Sequence, residues 1–205
     1  MIPPREALQR LREGNQRFVK SAGERKFVTH DKPIDLMHDQ EPFAIILGCS
    51  DSRVPAEIVF DQGLGDLFVI RVAGNIVAPS QVGSVEFAAE QFDTRLVVVM
   101  GHSQCGAIKA TLEALLNPRE TRSRNLKSIV DRVRPSVEGL LEAGMRPDDE
   151  LIERAVRANI MASVDHLRHG SAILEQLIQE KGLMVVGAEY SLATGVVDFF
   201  AEGGA

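Results

Sequence analysis

Four short runs of almost continuous apolar residues, 44–47, 67–72, 96–100 and 183–188, constrain this chain more than any other feature. A strand with one wet face alternates apolar and polar residues; an unbroken run means cover on both faces, as in a parallel sheet between two helical layers. Helical patterns at 84–92 and 105–116 separate the runs, so strands alternate with helices. The fold class predicted is α/β, a mostly parallel central sheet flanked by helices. Leu8, Leu11, Phe18 and Val19 form a stripe on an amphipathic helix over 5–19 despite Gly14, and with no sheet face evidently left for it, that helix is expected to pack on a partner subunit. Residues 123–181 are helical by composition, and interruptions at Pro135, at 144–147 and at Gly170 predict three or four helices there. The stretch 21–42 is polar and irregular, and Gly203-Gly204-Ala205 is expected to fray. At 205 residues the chain reads as one domain, 1–205, large enough to need no disulfide staples.

A net charge of −6, with scattered rather than clustered basic residues, argues against nucleic acid as a partner. The first residues lack the apolar stretch of a secretory signal, and no window approaches the ~18 consecutive apolar residues of a membrane span. The expected location is the cytoplasm, without membrane association, where thiols stay reduced and free to bind metal.

Both cysteines fall at ends of predicted strands. Cys49 closes the first run and His102 follows the third, so in a parallel sheet both emerge at the carboxyl edge, where open α/β sheets place their ligands. Cys105 comes three residues after His102 at a helix opening, where unpaired amides and the helix dipole favour a thiolate. A single buried cysteine or histidine is usually structural. Two thiolates and an imidazole converging on one edge are instead the soft and borderline ligands of Zn²⁺, with Asp51 able to fill or leave a fourth position. Arg53 stands two residues on, within reach of that carboxylate through paired hydrogen bonds. Because two thiolates cancel the charge of the ion, such a site needs help from its surroundings to acidify water.

Other readings stay open at this level. With Asp51 as a permanent ligand, the metal would be a closed structural tie between strand ends. The segment Gly101 to Cys105 also mimics a nucleophile elbow with Ser103 as nucleophile and His166 or His169 as base, but it lacks the second glycine. Asp165, His166 and His169 on one helix read as a solvated face, and His30 and His38 as possible proton shuttles.

The motifs Cys49-x-Asp51-x-Arg53 and His102-x-x-Cys105 resemble those of the β-class carbonic anhydrases. The likeness extends through 50–55, 68–75, 83–87 and 101–106, and so covers most of residues 40–110. It implies zinc-dependent reversible hydration of carbon dioxide to bicarbonate in a homodimer or homotetramer. Cys49, His102 and Cys105 would bind the zinc. Asp51 would alternate between ligand and partner of a zinc-bound hydroxide, held in the second role by Arg53. Gln40 and the amide of Gly106 would contact substrate oxygen, and Phe68, Ala73 and Phe87 would make the pocket apolar. Hydrolysis of a linear analogue such as carbon disulfide is a further implication. Arg71 and Tyr190 match anion-site residues of a bicarbonate-inhibited subgroup, whereas Ile46 replaces its Trp, so the inhibitory site is not expected to be complete.

Overall fold

A computed structural model describes residues 2–21, 40–117 and 123–202. His30, His38 and Gly203-Gly204-Ala205 lie outside the described residues. A five-stranded sheet runs in the order β2-β1-β3-β4-β5. Strands β1 (Ala44–Gly48), β2 (Leu67–Arg71), β3 (Leu96–His102) and β4 (Met184–Tyr190) are mutually parallel, and β5 (Val197–Phe200) pairs antiparallel with β4. The helices are α1 (Pro4–Lys20), α2 (Ala56–Val59), α3 (Pro79–Gln91), α4 (Gly106–Leu116), α5 (Arg124–Glu142), α6 (Asp149–His169) and α7 (Ala172–Lys181).

The pleat sorts the core. Ile45, Leu47, Cys49, Val97, Val99, Leu183 and Val185 face a layer built from α3 to α7. Ile46, Val98, Met100, Met184, Val186 and Ala188 point the other way, onto α1, α2 and residues of β5. Both faces are therefore dry, as the unbroken runs require.

The stripe of α1 is covered within the chain in part. Leu8 and Leu11, with Ala7, are buried against the second face of the sheet, whereas Phe18 and Val19 stay half-exposed. Gly14 permits that approach, since a Cβ there would stand 1.9 Å from the Phe60 carbonyl oxygen. Asn15 locks the helix in place: its Nδ2 donates to the carbonyls of Val59 (3.1 Å) and Gly195 (2.9 Å), and its Oδ1 accepts from the Val197 amide (2.9 Å).

Two expectations are corrected. Pro135 does not interrupt α5; it lies exposed within the helix, which runs on to Glu142. Strand β5 escaped notice because it is four residues long and half wet, with Val197 and Phe199 buried and Asp198 exposed. The breaks at 144–147 and Gly170 are real, and they divide the region into the three helices α5, α6 and α7.

Candidate metal centre

Three chain segments meet at the carboxyl edge of β1 and β3. Cys49 lies one residue beyond β1, His102 closes β3, and Cys105 is the residue preceding α4. Gln104, at φ +56°, makes the tight reversal that brings Cys105 back beside His102. One ligand atom from each of Cys49, His102 and Cys105 falls within 4.8 Å of the other two, and all three residues are buried.

The electrostatics fit a cation. Nδ1 of His102 lies 2.9 Å from the Ser103 carbonyl, which fixes the proton there and turns the Nε2 lone pair inward. That Nε2 is buried and makes no hydrogen bond. A hydrogen bond from Cys105, then contacts to His102 and the Gly74 amide, pull the Cys49 thiol down to about 4 against the opposing effect of burial. Cys105 is pushed upward by its bond to Cys49 and by burial, so the two sulfurs resist ionising together. The amides of Ile108 and Ala107 at the opening of α4 do act on Cys105 in the expected sense, but they are outweighed. Burial works to lower the imidazole pKa of His102, yet the neighbouring Cys49 thiolate carries the net shift upward. An orphaned buried nitrogen beside a paired thiolate and thiol is the donor set that Zn²⁺ suits.

Asp51 stands beside this trio with its carboxylate engaged elsewhere. Arg53 donates from its backbone amide (3.0 Å) and Nε (2.9 Å) to Oδ1, and from Nη2 (2.7 Å) to Oδ2. These bonds hold the carboxyl well below the usual carboxylate range. Oδ2 is also 3.8 Å from His102 Nε2. Arg71, at the end of β2, donates from Nε to the Cys49 carbonyl (3.0 Å) and from Nη2 to the Asp51 carbonyl (2.6 Å). It thus clamps the loop that carries both residues, a role its sequence position did not reveal. Tyr190 is buried in the α1-side core beside Phe18, and Ile46 lies within the same core.

The remaining sequence candidates occupy several places. Gln40 is exposed ahead of β1, and Gly106 opens α4 with an exposed backbone. Ala73 begins a 3-10 turn, Ala73–Asn75, whose Gly74 amide donates to Cys49 Sγ at 3.4 Å. Phe68 and Phe87 meet each other and Phe92 in an aromatic cluster, with Phe87 exposed. Ser103 Oγ accepts from the Leu192 amide, while His166 and His169 sit at the far end of α6, so no nucleophile elbow is assembled. His169 pairs with Asp165 at 3.6 Å on an exposed face, as a solvated helix would.

Fold and site together define an α/β protein with a two-cysteine, one-histidine group that could hold a metal ion. The family model for carbonic anhydrase matches residues 44–197. Carbonic anhydrase 2 of Mycobacterium tuberculosis is 38% identical over 192 residues, covering 94% of this chain and 90% of that protein. The carbonic anhydrase of Mycolicibacterium smegmatis is 38% identical over 195 residues, covering 95% and 92%. Among solved structures, the β-carbonic anhydrase CafA of Aspergillus fumigatus superimposes with a TM-score of 0.72 at 27% identity, covering 82% of this chain and 79% of that one. A tetrameric β-carbonic anhydrase of Sordaria macrospora shares the fold with a TM-score of 0.74 at 23% identity, covering 94% and 95%. This chain belongs to the carbonic anhydrase family, in its β-class, and is an enzyme of that kind.

Proposed function

We propose that the protein hydrates carbon dioxide reversibly to bicarbonate and a proton, with Zn²⁺ held by Cys49, His102 and Cys105. One observation carries this reading: the Asp51 carboxylate is held by three donors of Arg53 rather than turned onto the ligand trio, which leaves a fourth position open. A structural tie would be closed by four protein ligands. When bound, zinc supplies the Lewis acidity that turns water into a nucleophile near neutral pH.

The chain's own residues do the rest. Asp51, kept charged and oriented by Arg53, accepts a hydrogen bond from the attacking water and aims its lone pair at the carbon. Arg71 fixes the backbone under Cys49 and Asp51, so that ligand and acceptor keep one spacing. Gln40 and the Gly106 amide contact substrate oxygen, and Phe68, Ala73 and Phe87 furnish apolar walls for a molecule without a dipole. Asp51 released from Arg53 would ligate the metal and close the site. The working form is a homodimer or homotetramer in the cytoplasm, where reducing conditions keep both thiols available. Among the described residues no helix is long and apolar enough to cross a membrane.

The test is zinc content measured together with carbon dioxide hydration across pH. One zinc per chain with rapid hydration is expected, and Cys49→Ser should lose both. A protein with full zinc and no acceleration would overturn the reading.

A further inference from the structure

Beneath the metal centre lies a buried polar pair that the mechanism does not use. Asn159 and Ser163, one turn apart on the same face of α6, are 3% and 5% exposed. Asn159 Nδ2 donates to the Gly74 carbonyl at 2.8 Å, and Ser163 Oγ donates to the Asn75 carbonyl at 3.1 Å. Polar side chains are costly to bury unless they meet specific partners. Here both partners belong to one turn.

That turn cannot hold its own shape cheaply. Gly74 and Asn75 are both left-handed, at φ +70° and +43°. Such values suit glycine but are uncommon for a residue with a side chain. The turn is closed by the Asn75 amide, which donates to the Val72 carbonyl at 3.1 Å, and not by Asn75 Nδ2, which makes no hydrogen bond. The turn is also wedged in place, since a Cβ on Gly74 would lie 2.9 Å from Cβ of Ala107 in α4. Its outcome is the Gly74 N–H directed at Cys49 Sγ, 3.4 Å away.

We propose that Asn159 and Ser163 are positioning residues that, through the Gly74–Asn75 turn, set the donor strength of the Cys49 thiolate toward its metal. This rests on the metal-centre reading above. An N–H···S bond draws charge from the sulfur; its loss leaves Cys49 more electron-rich and less well placed. Outer-shell partners of this kind change metal affinity by about 10- to 100-fold when removed.

The experiment uses the full chain loaded with Co²⁺, whose thiolate-to-metal charge-transfer band reports the sulfur directly, together with release of the metal to a chelator. Asn159→Ala should move the band to lower energy and weaken metal retention by about 10- to 100-fold. Ser163→Ala should do the same to a smaller extent, and Ser163→Thr, which keeps the hydroxyl, should restore the wild-type band. Val164→Ala, an equally buried core change on the same helix, should lower the melting temperature and leave the band where it was. An unshifted band in folded Asn159→Ala, or the same shift in Val164→Ala, would overturn the proposal. If Asn159→Ala does not fold, the Ser163 pair decides by the same readout. Wild-type protein that takes up no cobalt would instead overturn the metal reading, and this inference with it.

Discussion

The two faces of the sheet obey one pleat and serve different ends. On the α1 side the series Ile46, Val98, Met100, Val186 and Ala188 meets Leu8, Leu11 and Phe60 and is closed by Tyr190. On the α3-to-α7 side the series Ile45, Leu47, Val97 and Val99 is equally apolar in mid-sheet, but its carboxyl edge carries Cys49, with Cys105 from the opening of α4 beside it. His102 continues the opposite series, two residues after Met100, so the imidazole and the sulfurs arrive from different sides of the sheet's edge. The α1 face packs through mid-sheet and yields a ligand candidate only at its last residue, His102, whereas the other face changes from packing to ligation at Cys49 within a single step of the pleat.

If that division holds, changes at the edge should cost activity without stability, and changes on the α1 face the reverse. Asp51→Asn is expected to retain metal and fold while lowering carbon dioxide hydration by about 10²- to 10⁴-fold, the range for loss of a positioned proton acceptor. Arg53→Ala should follow in the same direction, because it frees the carboxylate that three donors now hold. Steady-state rates with metal analysis check both, and a variant that loses metal would blur the division. Leu11→Ala, at a residue with no exposed surface, should cost about 2–5 kcal/mol in denaturant unfolding and leave metal stoichiometry intact. Metal loss in that variant would show the two faces to be coupled.

The contrast also explains what was legible in the sequence. Continuous apolar runs announce strands buried on both faces, and the cysteines and histidine at their ends follow directly, because a parallel sheet presents all its strand ends on one edge. Strand β5 was hidden because four residues with one wet face give no run. Pro135 misled because a proline usually breaks a helix, whereas here the flanking buried residues Val133, Ser136 and Val137 hold α5 against the core on either side of it. The support of the site was the least readable part. Arg71, Asn159 and Ser163 act through backbone carbonyls brought near by tertiary packing, and no spacing rule links residue 159 to residue 74. The sheet face under α1 was unreadable for a related reason: hydropathy does not display which face of the sheet the first turns of the helix cover.

The smallest expected effect tests the next strand along the same edge. Glu189 lies on β4 two residues after Gly187, in register with Gly101, and pairs with Arg157 of α6 at 3.4 Å. Burial pushes its carboxyl above the ordinary value of 4.5, and Arg157 only partly opposes this. The folded chain therefore binds that proton more readily than the unfolded chain, so this group's contribution to stability is greatest at low pH and declines as pH rises from about 4.5 through the raised value. Glu189→Gln removes the slope: the stability of wild type relative to the variant should fall across that window and be flat above it. Asp198→Asn, at the exposed second partner of Arg157, should cost less than about 1 kcal/mol. Urea unfolding of the three proteins between pH 4 and 8 reads both, and a Glu189 slope of the opposite sign would mean that Arg157, rather than burial, governs this part of the edge.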